Sequence, residues 1–188
     1  RLAGIYTDYI IERPKLHTVC SDQYRSLLAA LHHLLALGYR RPGLLLQRHQ
    51  DERLQFRWSA AFRTFQENSS GGATVPPLIV DRFDRAAFAK WFREHRPDVV
   101  LGHNCEAVAW MESCGAKVPE THGFVCLNIH MKTKPCAGLD LQPRILGLRA
   151  VELLVALLQR NETGVPEWPS TTTIAAGWID GPTLRQRA

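Results

Sequence analysis

Short, compact apolar runs alternate with longer stretches of helical periodicity, and this alternation constrains the fold more than any other feature. Gly43-Leu44-Leu45-Leu46, Pro77-Leu78-Ile79-Val80, Pro97-Asp98-Val99-Val100-Leu101, Gly123-Phe124-Val125-Cys126-Leu127 and Gly138-Leu139-Asp140-Leu141 are such runs. They lack the regular polar positions of a strand with one wet face, so they read as strands buried on both sides. Helical patterns separate most of them. From Asp22 to Leu37 the apolar positions Leu27, Leu28, Leu31, Leu34 and Leu35 share one face. Asp22 can accept the free amides of that helix's first turn, and Gly38 supplies a left-handed stop. A second helix is expected from near Asp51, with Phe56, Ala60 and Phe62 to Phe65 inward, ending in the polar loop Asn68-Ser69-Ser70-Gly71-Gly72. Asp84 caps a helix carrying Phe88, Trp91 and Phe92, and Asn104 caps one through Met111. Pro143 opens the last long helix, whose stripe is Ile145, Leu148, Val151, Leu154, Val155 and Leu158; Thr171 to Ile174 is a final strand. The expected class is α/β, with parallel sheets covered by helices on both faces.

Composition removes several classes of function. The 188 residues are 45% apolar and 22% charged, which argues against disorder. No apolar run is long enough to span a bilayer, and no secretion signal opens the chain at Arg1. The net charge of +5 is scattered, without a basic block, so it reads as a solvated surface rather than a nucleic-acid interface. The five cysteines, Cys20, Cys105, Cys114, Cys126 and Cys136, are odd in number and read as reduced, cytoplasmic thiols, three of them in or beside apolar runs where cysteine acts as a small hydrophobe.

No nucleophile elbow, phosphate loop or dinucleotide fingerprint is present. Cys114, His122, Cys126 and His130 are near in sequence, but their spacing fits no zinc finger or ribbon, and no metal is expected there. His32 and His33, adjacent on a helix, diverge and read as surface residues. The positions that could carry chemistry follow the strands, because open α/β sheets bind ligands beyond the carboxyl ends of their strands. There stand the stretch from Gln47 to Arg57, then Asp81-Arg82-Phe83, Gly102-His103-Asn104, Asn128 with His130, and Gln142. Together they offer an aromatic plate, amide and imidazole groups and a cation. That set suits a small polar ligand and supplies no activated nucleophile.

These residues also resemble a family. Asp22-Gln23-Tyr24 with the leucine helix, His33-Leu34 and Gly38-Tyr39-Arg40-Arg41 is similar to the opening of the LacI/GalR family of transcription regulators. Asp98-Val99-Val100-Leu101-Gly102-His103-Asn104 with Ala107 follows the family's next strand pattern. Val118-Pro119 with Gly123 to Asn128, and Gly138 to Pro143 with Leu146-Gly147 and Ala150-Val151, continue it in order. The resemblance spans about residues 17 to 178.

It implies a two-lobed, periplasmic-binding-protein-like (type I) fold of parallel sheets with an incomplete amino-terminal lobe. The implied organisation is a partial amino-terminal lobe at 1–40, a carboxy-terminal lobe at 41–140, a helix returning to the first lobe at 141–165, and a final strand and tail at 166–188. It implies a truncated effector-binding domain, dimeric, joined in the whole regulator to a helix-turn-helix head that reads operator DNA. The effector would be a sugar, sugar acid or related polar metabolite. By position, His103 and Asn128 stand at effector-binding places, Phe83 at the stacking aromatic, Gln142 near the interlobe crossover, and Arg53 or Arg57 at the effector arginine. No cofactor and no catalysis are expected. A transport-type sugar-binding protein of the same fold, and less so an α/β enzyme, remain as alternatives.

Overall fold

The computed structural model describes residues 2–9, 11, 13–69 and 74–185; of the loop expected after the second helix, Ser70, Gly71 and Gly72 lie outside the described residues. Two sheets organise the chain. The larger takes β3 (Pro42–Gln47), β4 (Leu78–Val80), β5 (Val99–Gly102), β6 (Gly123–Cys126), β7 (Ala137–Asp140) and β9 (Gly177–Ile179), in the order β4-β3-β5-β6-β7-β9. All its pairings are parallel except β7 with β9. The smaller is parallel throughout, in the order β1-β2-β8, from β1 (Ile5–Tyr6), β2 (His17–Ser21) and β8 (Thr171–Ile174).

The larger sheet is buried on both faces, and its side chains divide between two cores with the strand period of two. Leu44, Leu46, Val99, Leu101, Val125 and Leu127 face one core with α1 (Gln23–Ala36) and α3 (Arg57–Asn68). Leu45, Val100, Phe124 and Cys126 face the other, with α4 (Arg85–His95) and α5 (Ala107–Ser113). Trp58, Phe62, Leu27 and Leu31 in the first core, and Phe88 and Met111 in the second, are fully buried. The caps follow from local chemistry: Asp22 accepts from Arg25 N (3.0 Å) and Asp84 from Ala86 N (2.8 Å).

Several sequence expectations need correction. The helix α1 does not belong to the first lobe, as a boundary at residue 40 requires. It packs on α3 and the larger sheet through Leu27, Leu31 and Leu34, because the chain crosses between sheets before this helix rather than after it. The helix expected from Asp51 is two, α2 (Arg48–Arg53) and α3, because Gln55 (φ 54°) and Phe56 (φ 59°) take left-handed conformations that redirect the chain. Phe56 is therefore exposed rather than inward. The segment 166–188 holds two strands in different sheets, β8 and β9.

The last helix, α6 (Pro143–Gln159), returns to the small sheet and packs on β1 and β2. Its packing face is not the expected stripe. Ala150 and Leu157 are buried, with Leu146, Leu153 and Leu154 half-buried, while Ile145, Leu148, Val151, Val155 and Leu158 are exposed. The helix is apolar on nearly all sides, and the small sheet covers one of them.

Three crossings join the sheets, after β2, after β7 and after β8, and they lie side by side. Asp22 N donates to Ile174 O (2.8 Å), Ser21 Oγ to Leu141 O (3.4 Å), and Ala176 N to Ser26 Oγ (2.9 Å). Short parallel connectors of this kind are where a two-lobed protein bends. No helix among the described residues is long and apolar enough to cross a membrane.

Candidate functional site

Beside these crossings, at the carboxyl ends of strands from both sheets, lies a cavity of about 320 Å³. The small sheet's side contributes Thr7 and Asp8 after β1 and Ser21 at the end of β2, and Gln23 opens α1 on the side of the larger sheet. The larger sheet's side contributes Gln50 and Arg53 of α2, Trp58 of α3, His103 after β5, Asn128 after β6 and Leu141 after β7. A larger hollow of about 460 Å³ sits elsewhere, between Gly4, His17 and the loop Asn161 to Trp168. Its walls hold none of the unpartnered buried atoms described next.

Gln23 Oε1, Gln50 Oε1, Trp58 Nε1 and His103 Nδ1 are buried without a hydrogen-bond partner, and all four side chains line the smaller cavity. Such atoms cost roughly 1–3 kcal/mol each when left unpaired, so their convergence on one hollow marks a place where hydroxyl and amide groups are wanted. The His103 ring meets Trp58 edge-on (5.9 Å between centroids). Burial first, and then the nearby Arg53 charge, lower its pKa to about 4, so the ring is neutral at physiological pH. No serine or cysteine partners its Nδ1 among the described residues, so that nitrogen is not half of a nucleophile–base pair.

Asn128 is held by local geometry. Its Oδ1 accepts from His130 N (3.1 Å) and caps the single 3-10 turn Ile129–Met131. The amide hydrogens on Nδ2 are what it offers a ligand. His130 in turn donates through Nε2 to Asp140 Oδ1 (2.7 Å). That bond, followed by the one from Gln142 N, holds the Asp140 carboxyl below its ordinary pKa. Asp8 and Arg53 place one charge of each sign on the cavity wall.

The structure thus brings Arg53, His103 and Asn128 to one hollow and leaves the other sequence candidates outside its wall. Arg57 lays its guanidinium over the Tyr9 ring, 3.9 Å from the centroid, and so bridges the two halves of the chain without lining the cavity. Phe83 is packed against Trp110 (6.3 Å between centroids) on the α4–α5 face, because β4 is the edge strand and its carboxyl end is far from the centre of the sheet. Gln142 turns at the start of α6 (φ 55°), and its side chain fills the space left by the missing Cβ of Gly177. The strand-end argument missed Thr7, Asp8 and Ser21 because β1 and β2 were not read as strands. Gln23 and Trp58, one in each of two helices, gave no signal in sequence.

Comparison with known proteins agrees with this architecture. No curated protein matches the chain. A LacI family transcriptional regulator from an Arthrobacter species, in complex with lactose, superposes with a TM-score of 0.70 at 19% identity, over 90% of this chain and 67% of that one. A LacI family regulator from Enterococcus faecium with bound ribose gives 0.62 at 17%, over 96% and 70%. A periplasmic binding protein/LacI transcriptional regulator from Alkaliphilus metalliredigens, complexed with D-xylulofuranose, gives 0.65 at 13%, over 92% and 67%. At these identities the likeness is one of fold. The periplasmic binding protein-like domain model matches residues 31–179, most of the sequence, and the chain belongs to that family.

Proposed function

We propose that this chain is the effector-binding domain of a LacI-type transcription regulator, and that its effector is a small polyhydroxylated solute, a sugar or sugar acid, held in the cavity between the two sheets. The observation that carries this reading is the convergence of Gln23, Gln50, Trp58 and His103, each with an unpartnered buried polar atom, on one hollow bordered by both sheets. Solute hydroxyls can both donate and accept, and so can satisfy amide oxygens, an indole N–H and a neutral imidazole together. Asp8 and Arg53 extend the set with a carboxylate and a guanidinium, the latter suited to a sugar acid. The lactose, ribose and D-xylulofuranose found in similar structures support the same ligand class.

The regulatory part follows from mechanics. A solute touching both halves binds most tightly when the three crossings place the halves correctly, and it shifts the population toward that arrangement. In the whole regulator this change would reach a helix-turn-helix head on operator DNA, within a cytoplasmic homodimer. The test is a thermal-shift screen of pentoses, hexoses, disaccharides and sugar acids, followed by calorimetry. One ligand class should raise the melting temperature, and His103→Ala and Asn128→Ala should each weaken its binding about tenfold or more, as expected when a buried polar partner is lost. A ligand whose affinity is unchanged in both variants would overturn this placement of the site.

A further inference from the structure

Three of the five cysteines, scattered in sequence, meet in space. Cys105 follows β5, Cys126 ends β6 and Cys136 precedes β7, and these strands are neighbours in the larger sheet. Their sulfurs all lie within 4.8 Å of one another, with Cys105 Sγ and Cys136 Sγ 3.7 Å apart. All three are buried, with 5%, 0% and 3% of their surface exposed, and none is in a disulfide. The backbone closes tightly around them. A Cβ on Gly138 would lie 3.0 Å from the Cys126 Cβ and nearer still to the Cys126 carbonyl, and one on Gly181 would collide with the Cys136 backbone.

Packing alone explains one small buried thiol at a time, since cysteine behaves as a small hydrophobe. It does not explain three sulfurs from three separate strand ends gathered within 4.8 Å of one another. Sulfurs bound to one ion at about 2.3 Å stand roughly 4 Å apart in a plane and slightly less in a tetrahedron, so the observed spacing needs little adjustment. A single disulfide would require the Cys105 and Cys136 sulfurs to close from 3.7 Å and would leave the third thiol unused. The donor set also selects the ion. Among the described residues, no histidine or carboxylate joins the group. Thiolates hold both zinc and soft monovalent copper, but zinc in structural sites takes four ligands whereas cuprous ion is content with three, the number present here.

We propose that Cys105, Cys126 and Cys136 form a buried three-sulfur site for cuprous copper. Binding replaces thiol protons, which pass to solvent, and changes no oxidation state. The ion would join the loop after β5, the end of β6 and the start of β7. Cys105 and Cys126 stand two residues from His103 and Asn128, but the proposal does not depend on the effector reading.

The experiment is anaerobic titration of the reduced chain with cuprous ion held by a chromophoric chelator, with zinc in a parallel arm, followed by X-ray absorption of the loaded protein. The expected result is one cuprous ion taken up per chain, with a shell of three sulfurs at about 2.3 Å. Cys105→Ser and Cys136→Ser should weaken retention at least about tenfold, and Cys20→Ser and Cys114→Ser should leave it unchanged. Failure to compete for the ion, a shell containing nitrogen or oxygen, uptake of zinc with copper refused, or retention unaffected by Cys136→Ser would each overturn the site. The absorption measurement uses the unmodified chain, so the proposal stays testable if a serine variant does not fold.

Discussion

The two sheets are built from similar parallel strands and live in different surroundings. The larger has helices on both faces, and its central strands β3, β5 and β6 are buried almost without exception. In the smaller, β2 is mostly buried, but β8 exposes Thr171, Thr172 and Thr173 on a single edge, and α6 shows water an apolar side bearing Leu148, Val151 and Leu158. A helix with so broad an apolar surface ordinarily lies mostly inside a protein. The contrast teaches that cooperative stability resides in the larger lobe. The smaller lobe is joined to it by the three crossings and by Tyr9 under Arg57.

The largest expected effect tests this contrast directly. Trp58→Ala should remove about 3–5 kcal/mol from the denaturant unfolding free energy, because Trp58 is fully buried between helix and sheet. Thr172→Ala on the exposed edge should cost less than about 0.5 kcal/mol. Similar losses at both sites would erase the distinction. Next in size is a dependence on pH centred on the cavity. The folded-state pKa of His103, about 4, lies below its ordinary 6.5, so the unfolded chain binds the extra proton between those values. Its contribution is complete above pH 6.5 and is lost as pH falls toward 4, by about 3 kcal/mol at most. Unfolding curves across this window should be flatter for His103→Gln than for the parent, and parallel curves would show that the ring is not buried neutral.

Smaller effects sharpen the comparison. Asp22→Ala removes both the cap of α1 and the Thr173 Oγ1 contact to Asp22 Oδ2 (3.3 Å), and should cost about 1 kcal/mol. Hydrogen exchange should then quicken at β8 before β5, since Asp22 ties the first to the hinge. The smallest change is expected at Val151→Lys, within about 0.5 kcal/mol in the isolated chain, because that side of α6 is uncovered. A loss like that of a core substitution would mean the helix face is occupied.

The fold was legible where burial left a pattern. Residues of β3, β5 and β6 are dry on both faces, so Leu44-Leu45-Leu46, Val99-Val100-Leu101 and Phe124-Val125-Cys126 announce strands without help. β2, His-Thr-Val-Cys-Ser, hides among polar residues, β1 is two residues long, and β9 is a short piece completed by pairing with β7. The candidate site was legible to the same extent. Strand ends near the middle of the larger sheet led to Arg53, His103 and Asn128. The same argument failed for Phe83, because sequence does not reveal that β4 is an edge.

What the chain determines locally is thus the strands, the caps at Asp22 and Asp84, and the parallel α/β plan, since apolar spacing and side chain-to-backbone hydrogen bonds act over a few residues. Which sheet receives α1, which side of α6 is covered, which polar groups lack partners, and that Cys105, Cys126 and Cys136 meet were decided by strand order. Parallel neighbours must be joined through distant crossovers, so contacts between their ends carry no signature in sequence spacing.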